Sequence, residues 1–137
     1  LKNKKQFFTK ICKAFPKKYK FLNNKVSLSL LLSNNKSIKK LNKTFRNKNK
    51  PTDILSFPTS KSTKLTKEIY IGDIIISFNF INKTKSQSKK IFREKLIKTF
   101  IHGFLHLLNF DHIKIKDYTK MLNEEKLIYQ SVISKIK

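Results

Sequence analysis

A single cysteine, Cys12, excludes any internal disulfide, and nothing in the 137-residue chain asks for an oxidising compartment. It reads as a small core residue. No apolar run approaches the roughly 18 residues that a membrane span requires, and the amino-terminal stretch lacks the apolar centre of a signal peptide. A soluble cytoplasmic protein with no membrane partner is the expectation. Because the first residue is Leu1 and not Met, the start is read as missing or recoded. Acidic residues are scarce, 8 against 32 basic ones, and arginine is scarcer still, with Arg46 and Arg93 the sole examples. Glycine occurs twice and proline three times. There is no internal repeat and no low-complexity linker.

What remains is organised. The 39% hydrophobic fraction is slightly low for a globular protein, but it is gathered into blocks such as VSLSLLL, IYIGDIIIS and FIHGFLHLL. Such blocks can build a core, and the length suits one domain spanning residues 1–137. The net charge of +24 points to a polyanionic partner. Its origin is more modest, since Lys accumulates here together with Asn, Ile and Phe, as in drift toward A/T-rich codons. Whatever its origin, such a surface attracts phosphate.

Periodicity places the elements. Phe7, Phe8, Ile11, Cys12 and Phe15 recur at helical spacing over residues 2–15, and Pro16 closes that helix. VSLSLLL, residues 26–32, reads as a buried strand. SNNKS then offers an N-cap to a helix over 36–46, with Ile38, Leu41 and Phe45 as its inner positions. A loop, NKNKPTD, leads to a short strand, ILSF, stopped by Pro58. EIYIGDIIIS, residues 68–77, is the most strand-like stretch, and Gly72 within it marks a bulge or a close backbone approach. A helix over 79–86 follows. From Ser88 onward a four-residue apolar spacing runs through Phe92, Leu96, Phe100, Phe104 and Leu108, becoming apolar nearly all round after residue 99. Asp117 is a candidate cap for a last helix whose inner face carries Met121, Leu122, Glu125, Ile128, Tyr129, Val132 and Ile133. Strands and helices mix without regular alternation, so the class is α+β.

All three histidines of the chain fall in one window, FIHGFLHLLNFDH, residues 100–112. His102 and His106 lie four apart, on one helix face and about one turn from each other. Asn109 stands where the helix should stop, and Asn accepts the left-handed conformation that reverses a chain. That reversal can swing His112 back toward the pair. Three imidazoles would leave a tetrahedral zinc ion one open position, as in catalytic rather than structural sites. Gly103 occupies the place where HExxH proteases carry their general base, which disfavours that chemistry; it equally permits close helix packing, against a neighbour or the Gly72 strand. Asp111 can orient a ligand imidazole or simply complete the turn.

These residues carry a resemblance. HGFLHLLNFDH resembles the HGxLHLxGYDH signature of the YbeY (UPF0054) endoribonucleases, LNKTFRNKNKPTDILSFP (41–58) resembles their LNxxYRxKDxPTDVLSFP block, and IGDIIIS (71–77) resembles their LGDIVIS strand. The blocks occur in the family's order, covering roughly residues 26–133 with the last helix. The resemblance implies one zinc ion per chain held by His102, His106 and His112, with Arg46 and His102 as catalytic residues. It implies a small mixed four-stranded sheet packed with about five helices, one of them a zincin-like central helix bearing the metal. It further implies a metal-dependent endoribonuclease acting on single-stranded ribosomal RNA, in small-subunit 3′-end maturation and ribosome quality control. The partners would be ribosomal RNA and the small subunit. This chain departs from the pattern at Asn109, Phe110 and Asn49, where the family has Gly, Tyr and Asp. Two other readings stay open at this point: a ribosome-associated RNA-binding factor with structural zinc, and another zinc hydrolase.

Overall fold

The computed structural model describes residues 3–19, 26–59, 69–82, 88–110 and 114–136. Three strands and five helices follow in the order α1 (Lys4–Lys13), β1 (Val26–Ser33), α2 (Asn35–Arg46), β2 (Ile54–Pro58), β3 (Ile69–Ser77), α3 (Phe78–Ile81), α4 (Lys89–Leu107) and α5 (Ile115–Ile136). The sheet is mixed. β3 lies at its centre, parallel to β1 and antiparallel to β2. Among the described residues there are three strands and not the four that the resemblance implies. The three blocks with strand patterning supply those three, and the segment ahead of β1, with its helical apolar period, forms α1.

Local chemistry sets the boundaries. Asn3, Asn34 and Ser88 each cap a helix by accepting a backbone N–H three residues on. Asp117, expected as a cap, instead sits inside the first turn of α5, where its carboxylate still faces the positive end of the helix dipole. The predicted helix over 79–86 is the single turn α3 within the described residues; positions 83–87 lie outside them. Gly72 answers both readings of its role. The β1–β3 register advances two residues on β1, Ser27 to Ser29, against three on β3, Tyr70 to Asp73, so β3 bulges at Ile71–Gly72. With φ of 141°, Gly72 also lies where a Cβ would come within 2.4 Å of the Phe57 carbonyl.

The two sheet faces are covered differently. Ile74 and Ile76 point toward α4, whose last turns are buried through Phe100, Ile101, Phe104, Leu105 and Leu107. Beneath α4, α1 with the turn after it and α5 complete the core with Phe8, Ile11, Phe15, Met121, Ile128 and Val132. On the opposite face lies α2, and here the sequence reading needs correction. Its buried residues are Ile38 and Asn42, the latter only 4% exposed, whereas Phe45 is 61% exposed. Asn42 can be inside because its amide nitrogen donates to the Lys50 carbonyl at 2.9 Å, which satisfies it while tying down the loop after α2. The helix then stops at Asn47, held left-handed at φ 55°, where the Asn47 and Lys48 N–H groups bond back to the Lys43 and Asn42 carbonyls.

Candidate functional site

One cleft of about 720 Å³ runs along the outer edge of β2 and gathers residues from two of the three matched blocks: Arg46 from α2, Asp53 and Ser56 from the loop and strand, and His102 and His106 from α4. Its depth follows from a missing side chain. A Cβ on Gly103 would stand 2.3 Å from Ile54 Cδ1 and 2.9 Å from Ser56 Oγ, so any larger residue would have to push those side chains aside for α4 to lie this close to β2. At Gly103 the close approach is to β2, whereas the Gly72 strand is met further along α4, at Leu107. Ser56 fastens the approach, its hydroxyl donating to the Gly103 carbonyl at 3.0 Å. The result is that β2 and the histidine face of α4 form two walls of one cleft.

The two imidazoles are held from behind. His106 Nδ1 lies 3.0 Å from the Phe110 carbonyl oxygen, which can only accept, so Nδ1 carries the proton. That carbonyl is within reach because the helix ends as predicted. Asn109 is left-handed at φ 69°, its N–H bonding to the His106 carbonyl at 3.0 Å and the Phe110 N–H to the Leu105 carbonyl at 3.1 Å, a Schellman termination. His102 Nδ1 meets Glu125 Oε1 from α5 at 2.6 Å, and an ionised carboxylate likewise accepts the Nδ1 proton. In neutral rings both lone pairs are then on Nε2. Those two Nε2 atoms stand 3.0 Å apart with the rings nearly perpendicular at 81°. Two facing lone pairs at that distance repel unless a positive centre lies between them, a shared proton or a metal ion. Converging Nε2 donors whose Nδ1–H groups are anchored to a carboxylate and a carbonyl fit a metal ion's requirements.

Not every predicted residue can be placed. His112 and Asp111 lie outside the described residues, and among the described residues no group of three His, Cys, Asp or Glu side chains converges. Arg46 is exposed at the cleft, where its Nη2 donates to the Ser56 carbonyl at 2.8 Å and its guanidinium lies 5.7 Å from the Phe57 ring centroid. The strand edge thus sets the plane of the guanidinium. Lys48 and Lys50 line the same cleft and make it cationic apart from Asp53.

Three contributors were not assigned roles from sequence. Glu125 was placed on an inner helix face without a task, and an acid among apolar residues is itself a signal, because a carboxylate shielded from water needs a donor. Asn42 and Ser56 gave weaker signals. Both are small polar residues whose burial follows only from how α2 and α4 meet the sheet.

Comparison with known proteins converges on one family. The chain matches the family described as Endoribonuclease YbeY over residues 1–133. A curated relative named Endoribonuclease YbeY from Pelagibacter ubique is 58% identical over 99% of this chain and 89% of its own length. One of the same name from Aliarcobacter butzleri is 41% identical over 74% of this chain and 70% of its own. A solution structure of a Thermotoga maritima protein superimposes with a TM-score of 0.58 at 25% identity, covering 95% of this chain and 79% of that one.

Proposed function

This chain belongs to the endoribonuclease YbeY family, and from that premise we propose that it is a zinc-dependent endoribonuclease acting on single-stranded ribosomal RNA. The observation that supports it most is the His102–His106 pair, two Nε2 atoms 3.0 Å apart in a cleft that also holds an arginine. In this reading His102, His106 and His112 are the ligands of one zinc ion per chain. When bound, the ion supplies Lewis acidity, offsetting the charge of a scissile phosphate and making hydroxide available near neutral pH.

The chain's own residues do the rest. Glu125 and the Phe110 carbonyl keep the protons of His102 and His106 on Nδ1 and the rings in one orientation. Arg46 spends one of its five donors on Ser56 and presents others toward the cleft, where a planar, permanently charged fork can hold a phosphate in two-point contact. Lys48 and Lys50 add charge that draws the RNA backbone in. Gly103 has no proton to exchange, which speaks against the HExxH peptide-hydrolysis mechanism. Maturation of the small-subunit RNA 3′ end in the cytoplasm, with quality control of the subunit, is the cellular task proposed for this activity. No helix among the described residues is long and apolar enough to cross a membrane.

The test compares wild type with His106→Ala on a structured ribosomal RNA fragment, with metal content measured in parallel. Wild type should hold close to one zinc per chain and cut the fragment, and His106→Ala should lose both properties. Equal metal-dependent cleavage by the two proteins would sink the proposal. Metal-loaded wild type that binds the fragment but leaves it intact would favour the binding-factor reading.

A further inference from the structure

We propose that the exposed ring of Phe45 is a base-stacking subsite for single-stranded RNA at the rim of the cleft, beside Arg46. This rests on the RNA reading above and concerns a residue outside the histidine site. The starting observation is a hydrophobic residue in the wrong place. Helical spacing from Ile38 predicts Phe45 inward, yet it is 61% exposed while the polar Asn42 is inside. Among the described residues it is the one exposed large apolar side chain on α2 or β2.

Its ring is nevertheless held. Phe45 stands edge-on to Phe57, with centroids 5.3 Å apart and planes at 66°, and the Arg46 guanidinium lies 5.7 Å from the same Phe57 ring. Phe57 thereby serves as a backing that orients both the aromatic and the cationic group. Arg46 is the cation beside the ring, and Lys48 and Lys50 line the cleft on whose rim the pair stands. A flat apolar face beside a guanidinium, at the rim of a cationic cleft, fits a ligand that is itself flat and apolar but carries anionic charge along its length. An unpaired nucleobase with its phosphates meets that description, whereas bases inside a duplex are already stacked and out of reach. A protein partner would fit less well, because one exposed ring beside an arginine is not the contiguous apolar patch such contacts use. Placement agrees, since Arg46 and Ser56, the immediate neighbours of Phe45 and Phe57, line the cleft with His102 and His106.

The experiment uses a short single-stranded oligoribonucleotide carrying 2-aminopurine and 2′-O-methyl sugars, so that binding is read without cleavage. On wild type the fluorophore should be quenched as it stacks. Phe45→Ala should weaken binding about 5- to 100-fold and remove the quench at saturation, while the salt dependence from lysine contacts is kept. Phe45→Trp should restore both. Because Phe45 is exposed, Phe45→Ala is expected to fold, which its melting curve checks. Binding within twofold of wild type together with an unchanged quench would overturn the proposal and assign the ring to a protein contact, as would absence of quench on wild type. Failure of the nuclease reading would show separately, as a ribosomal RNA fragment left uncut by the wild-type protein.

Discussion

The two sides of α4 are built by different physics. On the side facing α1 and α5 the contacts are aromatic and apolar: Phe8 packs on Phe100 at 5.2 Å, Phe15 on Phe104 at 5.2 Å and Tyr19 on Phe104 at 5.7 Å. On the side facing β2 and the cleft they are short and directional, a hydroxyl on a helix carbonyl, a glycine against a strand and, at the margin where α5 reaches the cleft, an imidazole on the Glu125 carboxylate. Burial of rings is non-directional and supplies most of the stability, whereas the polar contacts place lone pairs to a fraction of an ångström and contribute little net energy. Two adjacent residues of α5 show the division. Glu124 pairs with Lys18, tying down the turn after α1, while Glu125 orients His102.

The largest effect should come from the apolar side. Phe104→Ala removes a ring that is fully buried against Phe15 and Tyr19, and it should cost about 3–5 kcal/mol in unfolding free energy, read by denaturant titration. Protein that remains folded should still bind metal with little change, and a lost site in a well-folded variant would erase the contrast between the sides.

Next is the polar side. Glu125→Ala should weaken metal affinity about 10- to 100-fold while leaving the melting temperature nearly unchanged, with ¹⁵N spectra showing His102 redistributed between tautomers. Glu124→Ala is the control. Its partner Lys18 is half exposed, so loss of that pair should cost about 1 kcal/mol or less, with a further loss from the buried Tyr19 hydroxyl that Glu124 also meets, and metal affinity should not change. Equal metal affinity in the two variants would remove Glu125 from the site.

The smallest effect is on alkaline stability, again on the apolar side. Burial pushes the Cys12 thiol from 9.0 up to about 11, and burial with the Glu124 carboxylate pushes Tyr19 from 10.0 to about 12. Each raised value means that the folded state keeps a proton the unfolded state releases. The stability is fully present below pH 9.0 and is lost as pH rises, through 9.0 to about 11 for Cys12 and through 10.0 to about 12 for Tyr19. Cys12→Ala should therefore show a shallower decline over the first of those intervals, measured by urea midpoints across pH. An identical decline would mean the thiol is not held in the apolar layer.

Much of this was legible in the residues themselves. Period-two and period-3.6 patterns located all three strands and the long helices to within a few positions, because each element has one face to bury. Asn109 could be assigned its left-handed turn, and Gly72 its bulge, from the stereochemistry of those two residue types. The same periodic reasoning failed at α2, where Phe45 was expected inside and Asn42 was not. Spacing tells which residues share a helix face but not how far the sheet extends beneath it, and at Phe45 the edge strand β2 offers the Phe57 ring while leaving the residue 61% exposed. It also failed to give Glu125 its role, since Glu125 and His102 are neighbours only once α5 has packed on α4.

By itself, then, the sequence determined the elements, the chain reversal after α4 and the gathering of every histidine into one window, since these depend on local sterics and on spacing along one helix. Tertiary structure alone decided which carboxylate holds the His102 Nδ1 proton, which strand Gly103 packs against, and that Arg46 shares a cleft with His102 and His106. The reason is physical: these contacts join residues tens of positions apart, and only packing of α4 and α5 with one another and with the sheet sets their distances and directions.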